Sequence, residues 1–113
     1  MLKIKCLKME YFNETVEVIT KALNSSLHKR GERGEFVINI QRIKGVFNIW
    51  TYKMELLWVA GPGKAVSIQT LQDNFPVPSG KEQEVKDILL IRFVQQLFEK
   101  QADIWNLIST NQH

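Results

Sequence analysis

The chain has few of the residues that form covalent cross-links or bind metals. Its 113 residues include one cysteine, two histidines and three prolines. The single cysteine, Cys6, excludes an intrachain disulfide, so we expect a reducing compartment. A metal site needs several His, Cys, Asp or Glu ligands at a fixed spacing, and Cys6, His28 and His113 show no such spacing. We therefore expect neither a metal nor another cofactor.

Long hydrophobic runs are also missing. The most apolar stretch, residues 88–98, is interrupted by Arg92, Gln95 and Gln96. It is much shorter than the roughly 20 residues that span a bilayer. The first residues lack the apolar segment and the small-residue cleavage site of a signal peptide. These features predict a cytoplasmic protein that does not associate with membranes.

No catalytic motif stands out. The nucleophile pattern G-x-S-x-G is missing, and Gly61-Pro62-Gly63-Lys64 lacks the spacing of a phosphate-binding loop. Glu82, Glu84 and Asp87 stand close together at a predicted helix start, where acidic residues are expected from the helix dipole. We expect the protein not to be an enzyme.

The composition is that of an ordinary globular protein, with 44% hydrophobic and 24% charged residues. The length predicts one domain over residues 1–113. The net charge of +3 is uneven. Residues 1–53 contain ten Lys and Arg against five Asp and Glu, whereas residues 54–113 contain five against seven.

Periodicity predicts six elements. Alternation indicates a strand at 2–8, and apolar residues at helical spacing indicate a helix at 13–29 that begins at Asn13 and turns Lys21, Asn24 and Lys29 to water. Three strands follow at 36–43, 46–60 and 65–71, and a helix covers about 81–100, with 102–109 either extending it or forming a separate piece. The order β-α-β-β-β-α predicts an α+β fold with an antiparallel sheet of about four strands and helices on one face.

The first hairpin carries a tight-turn signal at Lys44-Gly45. A two-residue loop there pairs Ile40 with Ile49, Asn39 with Trp50 and Val37 with Tyr52. The returning strand, residues 46–60, is apolar on both faces, and one of them is notably aromatic. That face carries Trp50, Tyr52, Met54, Leu56 and Trp58. Because a half-buried strand needs only one apolar face, we expect a cover on each side of it.

The second helix has a similar surplus, since its apolar residues occupy about two-thirds of its circumference. A helix lying on a sheet needs a narrower stripe. Aromatic residues are typical of interface cores, where charge is depleted. We therefore expect a non-catalytic assembly protein that forms a homo-oligomer, most simply a two-fold dimer, and binds a further protein. The predicted interface residues are Trp50, Tyr52, Trp58, Leu90, Val94, Phe98 and Trp105.

The alternative hypothesis is RNA or single-stranded nucleic-acid binding. It uses the basic N-terminal half for phosphate contacts and the aromatic strand face for base stacking. The predicted phosphate contacts are Lys3, Lys5, Lys29, Arg30 and Arg33. The α-β-β-β-α portion has the element order of double-stranded RNA-binding domains, but its last helix begins with the net acidic 81–84. A third reading is an apolar ligand pocket lined by Trp50, Met54, Leu56 and Trp58.

Overall fold

The described residues form an α+β fold with three antiparallel strands and three helices. The computed structural model describes residues 2–44, 50–72 and 80–111, and within these ranges the side chains of 12–44, 51–72 and 80–110. The elements are α1 (Leu2–Lys29), β1 (Glu35–Lys44), β2 (Trp50–Gly61), β3 (Lys64–Gln72), α2 (Glu82–Glu99) and α3 (Gln101–Asn111). The strands form one sheet in the order β1-β2-β3. The predicted α+β class and antiparallel sheet are confirmed.

The predicted N-terminal strand is wrong, because residues 2–8 belong to α1. Among the described residues the sheet therefore has three strands rather than four, and Asn13 lies inside a helix instead of capping one. The alternation that suggested a strand covers only seven residues, and neither Gly nor Pro separates it from the helix that follows. Adding turns to a helix that already exists avoids the unfavourable nucleation step, so the helical pattern extends back to Leu2.

The predicted hairpin register is also wrong. Lys44 pairs with Trp50, so the connection spans 45–49, which lie outside the described residues. Ile40 is opposite Met54, Asn39 is opposite Glu55 and Val37 is opposite Leu57. Because side chains alternate across a strand, this register turns the other face of β1 to the core. Phe36 is thereby placed opposite Trp58, and both side chains are buried.

One hydrophobic core lies between the sheet and the helices. The central strand contributes alternate residues from Tyr52 to Trp58, and Met54 and Leu56 are completely buried. The helices cover this face with Phe12 and Leu27 of α1, Leu89, Leu90, Phe93 and Leu97 of α2, and Ile104 and Ile108 of α3. The aromatic face of β2 is therefore covered by the chain's own helices.

The opposite face of β2 is mixed in character. Lys53, Glu55, Leu57 and Val59 are half-buried, and Ser67 donates a hydrogen bond of 2.7 Å to Glu55 Oε2. Paired polar groups of this kind suit a face in contact with water. The second cover that the sequence suggested for β2 therefore remains a prediction.

Two side-chain contacts hold α1 and the loop after it against the sheet. The Asn24 side chain accepts a hydrogen bond of 2.6 Å from the backbone N–H of Phe36 and donates one of 3.3 Å to its carbonyl oxygen. Trp58 Nε1 donates a 3.0 Å hydrogen bond to the carbonyl of Arg33. Asn24, which the sequence placed toward water, thus satisfies the outer edge of β1 and positions α1 relative to the sheet.

Candidate functional site

An apolar groove lies between α1 and the α2–α3 region. It encloses about 440 Å³. One wall is α1, whose lining residues recur at intervals of three, four and one and so occupy one side of the helix. The other wall is the C-terminal half of α2 and the start of α3. The lining residues are Val18, Ile19, Ala22, Leu23, Ser26, Arg30, Val94, Leu97, Phe98, Gln101, Ile104 and Trp105.

The groove has a buried floor and an exposed apolar rim. Leu97 and Ile104 belong to the core, so the floor is continuous with the packed interior. On the rim, Val18 is 65% exposed and Phe98 is 71% exposed. A large aromatic side chain left in water beside an apolar hollow is typical of a contact surface rather than of a scattered surface hydrophobe.

One end of the groove carries a cation held over an aromatic ring. The guanidinium carbon of Arg30 lies 4.1 Å from the centre of the Trp105 ring. Trp105 in turn meets Phe36 edge-on, with ring centres 5.9 Å apart. This stack joins the end of α1 to α3 and to β1. It leaves Arg30 exposed, and no described acidic side chain forms an ion pair with it.

The structure brings three of the predicted interface residues to this groove. Val94, Phe98 and Trp105 all line it. Val94 and Phe98 belong to the wide apolar arc of α2, and Trp105 reaches the groove from α3. Two further apolar side chains of α2, Ile88 and Ile91, are 56% and 59% exposed but do not line the groove.

The other predicted interface residues lie elsewhere. Tyr52, Trp58 and Leu90 are 6%, 2% and 4% exposed and belong to the core, so the chain's own helices cover them. The backbone of Trp50 begins β2, and its side chain lies outside the described part. Core packing, the plainest reading of the aromatic strand face, therefore accounts for Tyr52 and Trp58.

The predicted phosphate contacts belong to opposite ends of α1 and to the loop after it. Lys3 and Lys5 belong to the first turns of α1, whereas Lys29, Arg30 and Arg33 lie at its end and in the loop after it. Lys5 and Lys29 are separated by about 36 Å along the helix at 1.5 Å per residue. Tyr52 and Trp58 are buried, so neither ring face is available to stack on a base.

Sequence reasoning missed the α1 wall of the groove. It assigned the residues of α1 to one buried stripe and one wet face, and it gave no role to Val18 or Ala22. The available signal was the spacing of Val18, Ala22 and Ser26, which places small or apolar residues beside the buried stripe. The sequence does not give the position of α2, so it does not show that Val18, Ala22 and Ser26 face another helix across a groove.

A second, more polar hollow of about 410 Å³ lies between β3 and α3, and its lining includes Gln69, Lys100 and Asp103. Within residues 2–44, 50–72 and 80–111, no three His, Cys, Asp or Glu side chains group as metal ligands do. None of the helices in those ranges is long and apolar enough to cross a membrane.

Comparison with known proteins finds no protein-family model, curated protein or solved structure that matches this chain. Any functional conclusion must therefore come from the groove itself. The fold and the groove together describe a small α+β domain with a self-contained core and an uncovered apolar surface on its helical side.

Proposed function

We propose that this protein is a non-catalytic assembly protein that forms a homodimer through the groove between α1 and the α2–α3 region. The observation that carries the proposal is the exposed ring of Phe98 at the edge of an apolar hollow. A two-fold interface uses the same patch on both subunits, so the patch must supply both a protruding group and a space to receive one. Phe98 is the protruding group and the groove is the space.

The energetics favour covering this surface. Full burial of a Phe or Val side chain stabilises by about 1.5–3 kcal/mol. Val18 and Phe98 stand on opposite walls, so one partner that covers the groove removes both from water. The α1 lining side chains are uncharged from Val18 to Ser26, as expected for an interface centre where charge is depleted.

The proposal is tested by solution mass. Light scattering and sedimentation at micromolar concentration should give about twice the 13.2 kDa chain mass. Phe98→Glu should shift the protein to the monomer, because the charge must be desolvated to enter the groove. Its far-ultraviolet circular dichroism should remain that of the wild type, since Phe98 is outside the core.

Ile88→Glu is the matched control. Ile88 is an exposed apolar residue of the same helix that does not line the groove, so this variant should keep the dimer mass. Equal dissociation of both variants would mean that general surface hydrophobicity drives association. A wild-type protein that remains a 13.2 kDa monomer across the concentration range would overturn the proposal.

A further inference from the structure

The outer ridge of α1 carries a charge at each end and small residues between. Its members follow one another at four-residue intervals, and residues so spaced form a continuous ridge on a helix surface. All of them are exposed. The ridge consists of Glu14, Val18, Ala22, Ser26 and Arg30.

Arg30 belongs to this ridge although α1 ends at Lys29. Its backbone N–H donates a 3.1 Å hydrogen bond to the carbonyl of Ser26, which is the i to i−4 pattern of an α-helix. The helical path therefore continues through Arg30. Four of the five ridge residues also line the groove, so the ridge is the edge of the proposed interface.

The ridge is balanced about Ala22. Glu14 stands eight residues before Ala22 and Arg30 stands eight residues after it, which places each charge about 12 Å along the helix from the midpoint. A two-fold axis through Ala22 sets the two α1 helices antiparallel. The Glu14 of each copy then lies beside the Arg30 of the other, and the interface contains two equivalent pairs of opposite charge.

The middle of the ridge allows the helices to approach closely. Val18, Ala22 and Ser26 have small side chains, and Ala22 occupies the proposed crossing point. The partner's α1 then lies over the mouth of the groove, where it covers Val18 and Phe98.

Glu14 and Arg30 do not form an ion pair with each other within one chain. Glu14 and Arg30 are about 24 Å apart along the helix, which is too far for an ion pair. Neither forms an ion pair with another described side chain. By contrast, Glu17 and Lys21 of the same helix pair with each other at 3.2 Å.

We propose that two copies of the chain pack antiparallel through α1 about a two-fold axis at Ala22, with reciprocal Glu14–Arg30 ion pairs between copies. This inference rests on the proposed homodimer and specifies its geometry. It predicts that association weakens as the salt concentration rises, because exposed ion pairs are screened. The apolar contact at Phe98 is not screened by salt.

Charge reversal tests the reciprocity. In Glu14→Arg both cross-copy pairs become Arg beside Arg, and in Arg30→Glu both become Glu beside Glu. Each variant alone should dissociate about tenfold more readily than the wild type. In a mixture of the two variants, every cross-copy pair of the heterodimer is again Arg beside Glu. The heterodimer should therefore form with an affinity within about threefold of the wild type.

Native mass spectrometry of the equimolar mixture resolves the two homodimers and the heterodimer, because the variants differ in mass. The heterodimer should be more abundant than random pairing of the two variants would make it. The double variant Glu14→Arg/Arg30→Glu should again form a homodimer, and this recovery shows that loss of the Arg30–Trp105 stack has not unfolded the chain.

The matched control is a mixture of Glu17→Arg and Lys21→Glu. These two charges pair within one chain, and a two-fold axis at Ala22 does not place Glu17 of one copy beside Lys21 of the other. This mixture should show no preference for the heterodimer. A dimeric wild type whose Glu14 and Arg30 variants show no heterodimer preference would overturn the geometry and leave the proposed homodimer standing. A monomeric wild type would overturn both.

Discussion

A Cβ atom on Gly34 would lie 2.5 Å from the indole Nε1 of Trp58. The same indole nitrogen donates its hydrogen bond to the carbonyl of the preceding residue, Arg33. The backbone φ of Gly34 is +94°, in the region that residues with a side chain rarely adopt. The close approach of the ring therefore depends on glycine at this position, and it anchors the loop between α1 and β1 to the central strand.

Gly34→Ala should lower the free energy of unfolding by about 2–4 kcal/mol, from unfavourable φ together with a clash against Trp58 and the Val59 carbonyl. Urea denaturation measures the change. Gly31→Ala is the control, because Gly31 also has a positive φ of 74° but a Cβ added there would have nothing within 4 Å. That variant should lose only about 1 kcal/mol. Equal losses would show that the contact with Trp58 contributes nothing.

Trp58→Ala should unfold the chain rather than dissociate the proposed dimer. The side chain is 2% exposed, and removing a buried Trp costs about 3–5 kcal/mol. Near-ultraviolet circular dichroism and solution mass, measured on the same samples, separate the two outcomes. A folded monomer with native ellipticity would instead place Trp58 at an interface between copies.

Asn24→Ala should lower the free energy of unfolding by about 1–3 kcal/mol, because it removes both hydrogen bonds to the edge of β1 and leaves the Phe36 amide without its partner. Ser25→Ala is the control in the same turn, since Ser25 is exposed, and it should be nearly neutral. Hydrogen exchange at the Phe36 amide should accelerate in Asn24→Ala alone. Unchanged exchange there would contradict the role given to Asn24.

Gln69→Leu should stabilise the protein by about 1 kcal/mol, because an unsatisfied buried acceptor is unfavourable and an apolar group of similar shape removes that penalty. Gln69 is 7% exposed, and its Oε1 atom is buried without a hydrogen-bond partner among the described residues. Gln72→Leu, at the exposed end of β3, should leave stability unchanged. Urea denaturation measures both variants. A destabilised Gln69→Leu would mean that its 3.3 Å hydrogen bond to Gln96 outweighs the unpaired oxygen.

The melting temperature of the wild type should rise with protein concentration, because association that favours the folded state stabilises it by mass action. Phe98→Glu should melt at the same temperature at every concentration. Differential scanning calorimetry over a wide dilution series measures both. A wild-type melting temperature independent of concentration would contradict self-association of the folded chain.

Local patterns predicted most of the elements. The 3.6-residue recurrence of apolar positions in α2 and the alternation in β2 and β3 depend on residues adjacent in the chain, and their observed bounds lie close to the predicted ones. The same patterns misled at residues 2–8, where seven alternating residues match a strand as well as a helix end. They also misled at Lys44-Gly45, where a sound turn signal was outweighed by the burial of Phe36 opposite Trp58.

The sequence by itself determined that the chain is α+β and has an apolar surplus on its second helix, because both follow from periodicity along single segments. Only the tertiary structure decided where that surplus lies. It placed Tyr52, Trp58 and Leu90 inside and left Phe98 at the rim of a groove. Which apolar side chains remain in water depends on how segments distant in the chain cover one another, and that packing has no signature within any one segment.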